Sequence, residues 1–383
     1  MDIVWFAEIK WDYLKTRKQQ IIRRKPDDVK LLYLEPFVRG RDNTFELREE
    51  GGILRATVPF VKTVPPGQPL RWVLDTGMGR SLVEGHARSR VRRHIRHAGI
   101  TGADAGIIIS NIYAVGAARR VGGRFLLYDC NDAHADFPGM PAWTRNYFEV
   151  TCRAADAVFA TSQVLFDDVA SVRGGDAGCE LLGNGVQYRH FERVRELSGW
   201  PPPPEPPRIG YLGAIAPWFD FEAVENVARA HPDWEVSLVG PVVLGVEAEI
   251  ERLAALPNVS HAAAVPYEDV PNVLGTFTLG IIPFRRNALT RGVNPNKMYE
   301  YLAMGLPVVA TDFSPEVGRY PELVATSGHP DGFVRSCESL VSMAADPARL
   351  AEHRGRAVEA AARHDWSAIA DRFWERVREL WTR

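Results

Sequence analysis

Three observations predict an α/β fold built from parallel sheets in two domains. Ile3-Val4-Trp5-Phe6 and Lys30-Leu31-Leu32-Tyr33-Leu34 are apolar runs of strand length on either side of a helical segment at 15–24, which makes a βαβ unit. Trp200 is followed by six prolines in the seven residues 201–207, a stiff extended connector. A second strand–helix alternation starts at once beyond it. A chain of 383 residues suits two domains better than one. Residues 1–200 are expected as the first, 201–207 as the linker, 208–363 as the second and 364–383 as a terminal helix.

Composition narrows the function. The net charge of −2 is unevenly spread: residues 1–100 carry 20 Lys+Arg against 12 Asp+Glu, and the remainder 26 against 36. A basic N-terminal region points to anionic lipid, a phosphorylated substrate or nucleic acid. Nucleic acid is disfavoured, because the basic segment lacks interleaved aromatics and the chain is net acidic. Cys130, Cys152, Cys179 and Cys337 show no metal or disulfide spacing and fit reduced thiols of a cytoplasmic protein. Asp2, Glu8 and Lys10 around the first apolar run argue against a signal peptide. No run approaches 18 apolar residues, so no span is expected. The expected setting is the cytoplasm, with peripheral attachment to the inner membrane face as an option.

In the first half, residues 44–48 and 52–58 alternate around Glu49-Glu50-Gly51 as a hairpin, and 59–69 reads as a loop. Residues 89–97 form a basic helix, with Arg90, Arg92, Arg93, His94, Arg96 and His97 around a narrow stripe of Val91 and Ile95. Such a helix suits an anionic membrane or a lipid-diphosphate acceptor. Buried strands at 105–110 and 124–128 deliver Asn111, then Asp129, Asn131, Asp132, His134 and Asp136, at their carboxyl ends. Ligands of open parallel sheets bind at that edge. Asp132, with His134 second, is the candidate for orienting or deprotonating an acceptor hydroxyl.

In the second half, strands are expected at 208–212, 235–239, near Val259 and at 279–283, with helices at 220–230 and 246–255. Small residues at Gly213-Ala214 let backbone N–H groups approach an anion. The most informative stretch is 294–311. Asn294 is a suitable N-cap, Pro295 fits the first helical position, Gly305 fits the position just past the helix, and Val308-Val309-Ala310 reads as a buried strand. Lys297 in the first turn opposes the helix dipole, and a bound anion removes the conflict. Glu300, one turn on, shares its face and suits the vicinal hydroxyls of a sugar. The helix at 366–381 carries an unbroken apolar stripe.

The segment 281–302, from Ile281-Ile282-Pro283-Phe284-Arg285-Arg286-Asn287-Ala288-Leu289-Thr290 to Asn294-Pro295-Asn296-Lys297-Met298-Tyr299-Glu300, resembles the donor block of GT-B glycosyltransferases. It is similar to that of family 4-like enzymes of bacterial surface polysaccharide synthesis, including the teichuronic acid type. Trp11–Gln19, with Arg17 and Gln19, is similar to the start of the same enzymes, and Leu182-Gly183-Asn184-Gly185-Val186 to a later motif, with Gln187 in place of the usual aspartate.

The resemblance implies two Rossmann-like domains facing across a cleft, with the last helix crossing back to the first domain. It implies a nucleotide-diphosphate sugar, a UDP-sugar expected, as substrate rather than cofactor, and no metal. Lys297 with the N–H groups of Asn296 and Lys297 would meet the diphosphate, and Glu300 the ribose. Arg285 and Thr290 would supplement the phosphate contacts, Asn287 and Asn294 would read sugar hydroxyls, and Pro266-Tyr267 would lie at the base. Phe284 and Tyr299 belong to the same block. The acceptor would be a glycan or lipid-diphosphate-linked glycan, met by Arg17, Gln19 and the arginines of 90–96. Two departures stand out. Gly292 occupies the place of the family's first glutamate, and Ala214-Ile215-Ala216-Pro217-Trp218 lacks the usual arginine–lysine pair. These leave open the sugar and the stereochemical outcome. They also leave open a catalytically weak homologue that binds nucleotide sugar within an assembly.

Overall fold

The computed structural model describes residues 1–12, 16–64, 68–137 and 139–383. Tyr13-Leu14-Lys15 of the Trp11–Gln19 stretch, Pro65-Pro66-Gly67 of the 59–69 loop, and Pro138 lie outside the described residues.

The first sheet has eight strands: β1 (Asp2–Phe6), β2 (Lys30–Pro36), β3 (Arg48–Glu50), β4 (Ile53–Val58), β5 (Gly106–Ile109), β6 (Phe125–Cys130), β7 (Ala157–Ala160) and β8 (Cys179–Leu181). Their spatial order is β3-β4-β2-β1-β5-β6-β7-β8. All pairings are parallel except β3 with β4, a hairpin turned by Gly51 and Gly52. The second sheet has six parallel strands: β9 (Arg208–Leu212), β10 (Glu235–Val239), β11 (Val259–Ala262), β12 (Leu279–Ile282), β13 (Val308–Thr311) and β14 (Val324–Ser327), in the order β11-β10-β9-β12-β13-β14. That is the doubly wound order, which reverses between β9 and β12, and ligands bind at the carboxyl ends of strands where the order reverses. In the first sheet the reversal lies between β1 and β5. The central strands are buried on both faces, so they carry continuous apolar runs rather than alternation.

The chain divides into two compact units, Met1–Gly183 with Ala370–Arg383, and Asn184–Ile369. The division thus falls before the proline run, for a local reason. Val186 N–H donates to the His364 carbonyl at 2.9 Å, Trp366 N–H donates back to Val186 at 3.0 Å, and Phe191 is fully buried in the second core. Residues 184–200 are therefore tied to the second unit ahead of the prolines. The last helix, Trp366–Thr382, contributes its later residues to the first unit: Phe373 stacks on Trp5 at 5.4 Å, and Trp374 Nε1 donates to the Ile21 carbonyl at 3.0 Å.

Three elements differ from expectation. The helix expected at 15–24 runs only over Arg17–Ile22, capped by Thr16 with Gln19. The first arm of the hairpin is β3 alone. The basic helix at 89–97 is the end of one longer helix, Gly77–His97, on which His94 is buried beside Val91 and Ile95 rather than exposed with the arginines. Burial, with Arg90, His97 and Arg93 nearby, lowers the His94 pKa to about 4, so it is a neutral core residue. No helix of the described residues is long and apolar enough to cross a membrane.

Candidate active site

The helix Asn296–Ala303 sits at the reversal point of the second sheet. It starts one residue later than the Asn-Pro pattern suggests, with Pro295 as N-cap. Asn294 is not the cap: its side chain turns inward and donates to Glu316 Oε2 at 3.0 Å, and its carbonyl accepts from Asn184 Nδ2 at 2.8 Å. Gly305 follows the helix at φ +64°, the left-handed conformation expected of the terminating glycine. As the opening residues of a helix, Asn296 and Lys297 have N–H groups without an intrahelical acceptor.

Lys297 lies over two rings, its Nζ 4.5 Å from the Phe284 centroid and 5.0 Å from that of Tyr211. It makes no ion pair with the described residues. Beside it is Gly213, at φ +143°, where an added Cβ would stand 3.0 Å from Lys297 Cε and 3.2 Å from Nζ. A side chain there would strain the backbone and crowd the ammonium, so the small residue after β9 is a requirement of the lysine's position. Tyr211 OH fixes the turn by donating to the Ala214 carbonyl at 2.7 Å. Burial lowers the Lys297 pKa to about 8, with Glu300 pulling the other way. Burial likewise raises the Glu300 carboxyl, opposed by Lys297 and by a hydrogen bond from Tyr267. Tyr267 is half-buried and packs on His190 and Phe191, and the adjoining Pro266 is exposed.

The remaining donor candidates divide. Arg285 is exposed. Asn287 caps the helix Ala288–Arg291 in a reciprocal box with Thr290. The Thr290 hydroxyl donates to the Arg285 carbonyl at 2.6 Å, so it is engaged in its own loop. Tyr299 is fully buried and stacks on His364 at 4.3 Å, away from Lys297 on the helix. Gly292, in the place of the family's first glutamate, caps the helix Ala288–Arg291 at its C-terminal end. The structure thus brings together Gly213, Phe284, Lys297, Glu300 and Tyr267, and gives Asn294, Thr290 and Tyr299 internal roles.

In the first unit, the reversal point carries a second polar cluster. Trp5 Nε1 donates to Ser110 Oγ at 3.0 Å, tying β1 to the end of β5. Glu8 follows β1, forms an ion pair with Lys18, and accepts from Asn131 Nδ2 at 3.1 Å. Burial would raise the Glu8 carboxyl, but Lys18 and His134 hold it below the usual range. Asp132 Oδ1 accepts from Ala133 N–H at 3.0 Å, and burial raises its carboxyl although His134 opposes this. Glu8 Oε2, Asn131 Oδ1 and His134 Nε2 are buried atoms with no protein partner. Glu8 and Lys18 escaped the sequence reading, yet the signal was available. Glu8 stands just past the carboxyl end of β1, the same criterion that selected Asn111 and Asp132. Asp129 is instead fully buried in an ion pair with Arg17 at 3.0 Å, and Arg17 also donates to the Gly183 carbonyl at 2.7 Å. Gln19 is 1% exposed and bonds to Trp11 and Thr16. Arg17 and Gln19 are therefore internal to the unit and present nothing to a membrane.

Comparison with known proteins decides the identity of the second half. Residues 206–343 match the family model described as glycosyl transferases group 1. That segment is a group 1 glycosyltransferase domain. The chain is 28% identical over 206 residues to TuaH of Bacillus subtilis (strain 168), assigned as a glycosyltransferase of teichuronic acid biosynthesis, and spans about half the length of that relative with half of its own. Among solved structures it is similar to Anabaena Alr3699/HepE in complex with UDP and glucose (TM-score 0.68, 15% identity, 99% of each chain). It is also similar to sucrose-phosphate synthase of Thermosynechococcus elongatus (TM-score 0.75, 13% identity, 100% of this chain and 99% of that one). An E. coli structure bound with UDP-2-fluoro glucose aligns at TM-score 0.71, with 11% identity over 100% and 99% of the two chains. The fold is that of the GT-B glycosyltransferases.

Proposed function

We propose that the chain transfers a glycosyl group from a UDP-sugar to a hydroxyl of a surface-polysaccharide precursor. The observation that carries this reading is Lys297, a cation in no ion pair among the described residues although it feels the Glu300 carboxylate, held over two rings and a glycine at the N-terminus of a helix in the group 1 domain. A desolvated, unpaired ammonium is costly unless an anion arrives. A diphosphate supplies that anion. As the bond from the anomeric carbon to the diphosphate oxygen breaks, the departing charge is met by Lys297 and the first N–H groups of the helix, without a call on a metal. The new bond forms from the acceptor oxygen, whose proton passes to a general base if configuration inverts. TuaH supports the polysaccharide class, and the UDP-bound relatives support the nucleotide.

The test is turnover and calorimetry with UDP-, GDP- and ADP-sugars in the presence of membrane-derived acceptors. UDP-sugar consumption and sugar incorporation are expected. Binding without turnover against any acceptor would favour the catalytically weak homologue.

Two predictions follow from the donor site. Glu300→Gln should weaken UDP-sugar binding by about tenfold and leave the fold intact, since an amide accepts fewer hydroxyl hydrogen bonds than a carboxylate. A liganded structure with Glu300 away from the ribose would refute this role. The second concerns pH. Free Lys297 has its pKa lowered to about 8, and a bound diphosphate raises it again by favouring the ammonium. UDP affinity should therefore be level with respect to Lys297 below pH 8 and fall above it, with proton uptake on binding. Calorimetry in buffers of different ionisation enthalpy reads both, and affinity that stays flat from pH 7 to 10 would exclude the lysine.

A further inference from the structure

The motif at 182–186 has no part in the transfer chemistry, yet its asparagine reaches the donor helix. Gly185 lies hard against the segment near the end of the chain, where an added Cβ would stand 2.2 Å from the His364 carbonyl oxygen. A glycine is required for that close approach, which lets Val186 exchange hydrogen bonds with His364 and Trp366. Tyr188 N–H adds a third tie, donating to Asp365 Oδ2 at 3.0 Å. The His364 ring is fixed in turn. It donates to the Asn184 carbonyl, meets the Tyr320 hydroxyl through Nε2, and stacks on Tyr299 at 4.3 Å. Burial first, and Arg319 second, lower its pKa to about 4. The ring is therefore neutral, and its other nitrogen accepts from Tyr320.

Asn184 is thereby held with its side chain at the entrance to the helix Asn296–Ala303. Its Nδ2 donates to the Asn294 carbonyl at 2.8 Å, and a carbonyl can only accept, so the amide has one orientation. Asn294 is 4% exposed, and its own Nδ2 donates to Glu316 Oε2 at 3.0 Å. Glu316 is fully buried and paired with Arg319 Nε at 2.8 Å. Burial raises the Tyr299 phenol, and a hydrogen bond with Asn294 opposes this. Pro295 offers no N–H, so the grip on this turn falls to Asn294. The residue is held by its carbonyl from position 184 and by its side chain from position 316.

We propose that Asn184, acting through the Asn294 carbonyl, is a positioning residue for Lys297 and for the first N–H groups of its helix. The role rests on the donor reading of Lys297. The ammonium has two rings and Gly213 around it and no ion pair among the described residues. Its place is therefore set by its backbone, and the backbone by the turn that Asn184 holds. Placement matters here, because a displacement of about 1 Å at a reacting group can cost about 10²-fold.

The experiment is calorimetry with UDP on Asn184→Leu, Lys297→Met and the double variant, with a thermal melt of each. Leucine nearly keeps the volume of asparagine, adds no charge and has no N–H for the Asn294 carbonyl. Alone, Asn184→Leu is expected to weaken UDP binding by about tenfold, the upper range for one neutral hydrogen bond. Combined with Lys297→Met it should cost no more than about twofold further, because the two residues act as one unit. Additive losses would make Asn184 a packing residue, and unchanged affinity would remove it from the donor site. Asn184→Ala serves if leucine does not pack, and loss of the fold in both would also overturn the proposal. A second measurement needs no ligand. Magnetic resonance of Lys297 Cε, assigned by its loss in Lys297→Met, follows the lysine against pH. In Asn184→Leu its pKa should move from about 8 towards the ordinary 10.5, as water reaches a loosened helix start. An unmoved pKa would refute the positioning role. Failure of the unaltered chain to bind UDP would sink the donor reading instead, and with it a role in placing Lys297 for a diphosphate.

Discussion

Replacing Lys297 by methionine should lower UDP affinity by 10- to 150-fold while leaving the unliganded protein no less stable. The two effects have opposite physical origins. In the complex the ammonium makes charge-assisted contacts worth about 1.5–3 kcal/mol, and about 1.4 kcal/mol is tenfold in affinity. Without ligand, the same charge sits in a site that lowers its pKa from 10.5 to about 8. A lysine whose pKa is depressed on folding costs stability while it is charged, below pH 8, and the cost is relieved as pH rises above that. Methionine keeps the stem packed over Tyr211 and Phe284 and removes the charge, so it relieves the cost at neutral pH. The cation–π contacts at 4.5 and 5.0 Å offset part of that gain. Calorimetry with UDP and thermal melts of the unliganded protein measure the two halves. Unchanged affinity would remove Lys297 from the phosphate site. Normal binding lost together with stability would make it a packing residue.

The parallel strands of the second unit were legible because each is a short apolar run bounded by turn residues, and periodicity sees such runs directly. The observed β9 and β10 coincide with the expected spans. The proposed roles of Lys297 and Glu300 rest on a different signal: a cation in a first turn contradicts the dipole, and that contradiction is local. The internal contacts of Asn294, Thr290 and Tyr299 could not be read from the sequence, because their partners are remote or specific to the backbone path. Nothing near Asn294 in sequence announces Glu316, and Tyr299 differs from Glu300 only by its direction from the helix. The domain division was obscured in the same way. The proline run is conspicuous locally, whereas the pairing of Val186 with residues near the end of the chain is a long-range fact. Arg17 and Lys18 show the limit of charge counting. Both add to the basic count of residues 1–100, and both are buried against carboxylates, Asp129 and Glu8.

Asp132→Asn should reduce turnover by about 10²-fold or more while changing UDP affinity little, because an amide cannot take the acceptor's proton. The first unit supplies the physical case. Asp132 stands past the carboxyl end of β6, its carboxylate accepts from Ala133 N–H at 3.0 Å, and burial raises its carboxyl. A raised carboxylate is a stronger base than a solvated one, and the nearby His134 and Lys18 keep it from rising further. The sign of the pH effect follows: activity should fall as pH drops through the raised pKa, and the variant should lose that acid limb. Glu8 is the internal control. It lies in the same cluster, but Lys18 and His134 hold its carboxyl low, so Glu8→Gln should disturb acceptor binding more than the acid limb. Steady-state kinetics with a fixed acceptor separate these outcomes. Full activity in Asp132→Asn, with His134→Ala inactive, would move the base to His134. Full activity in both would point to transfer with retention and no protein base.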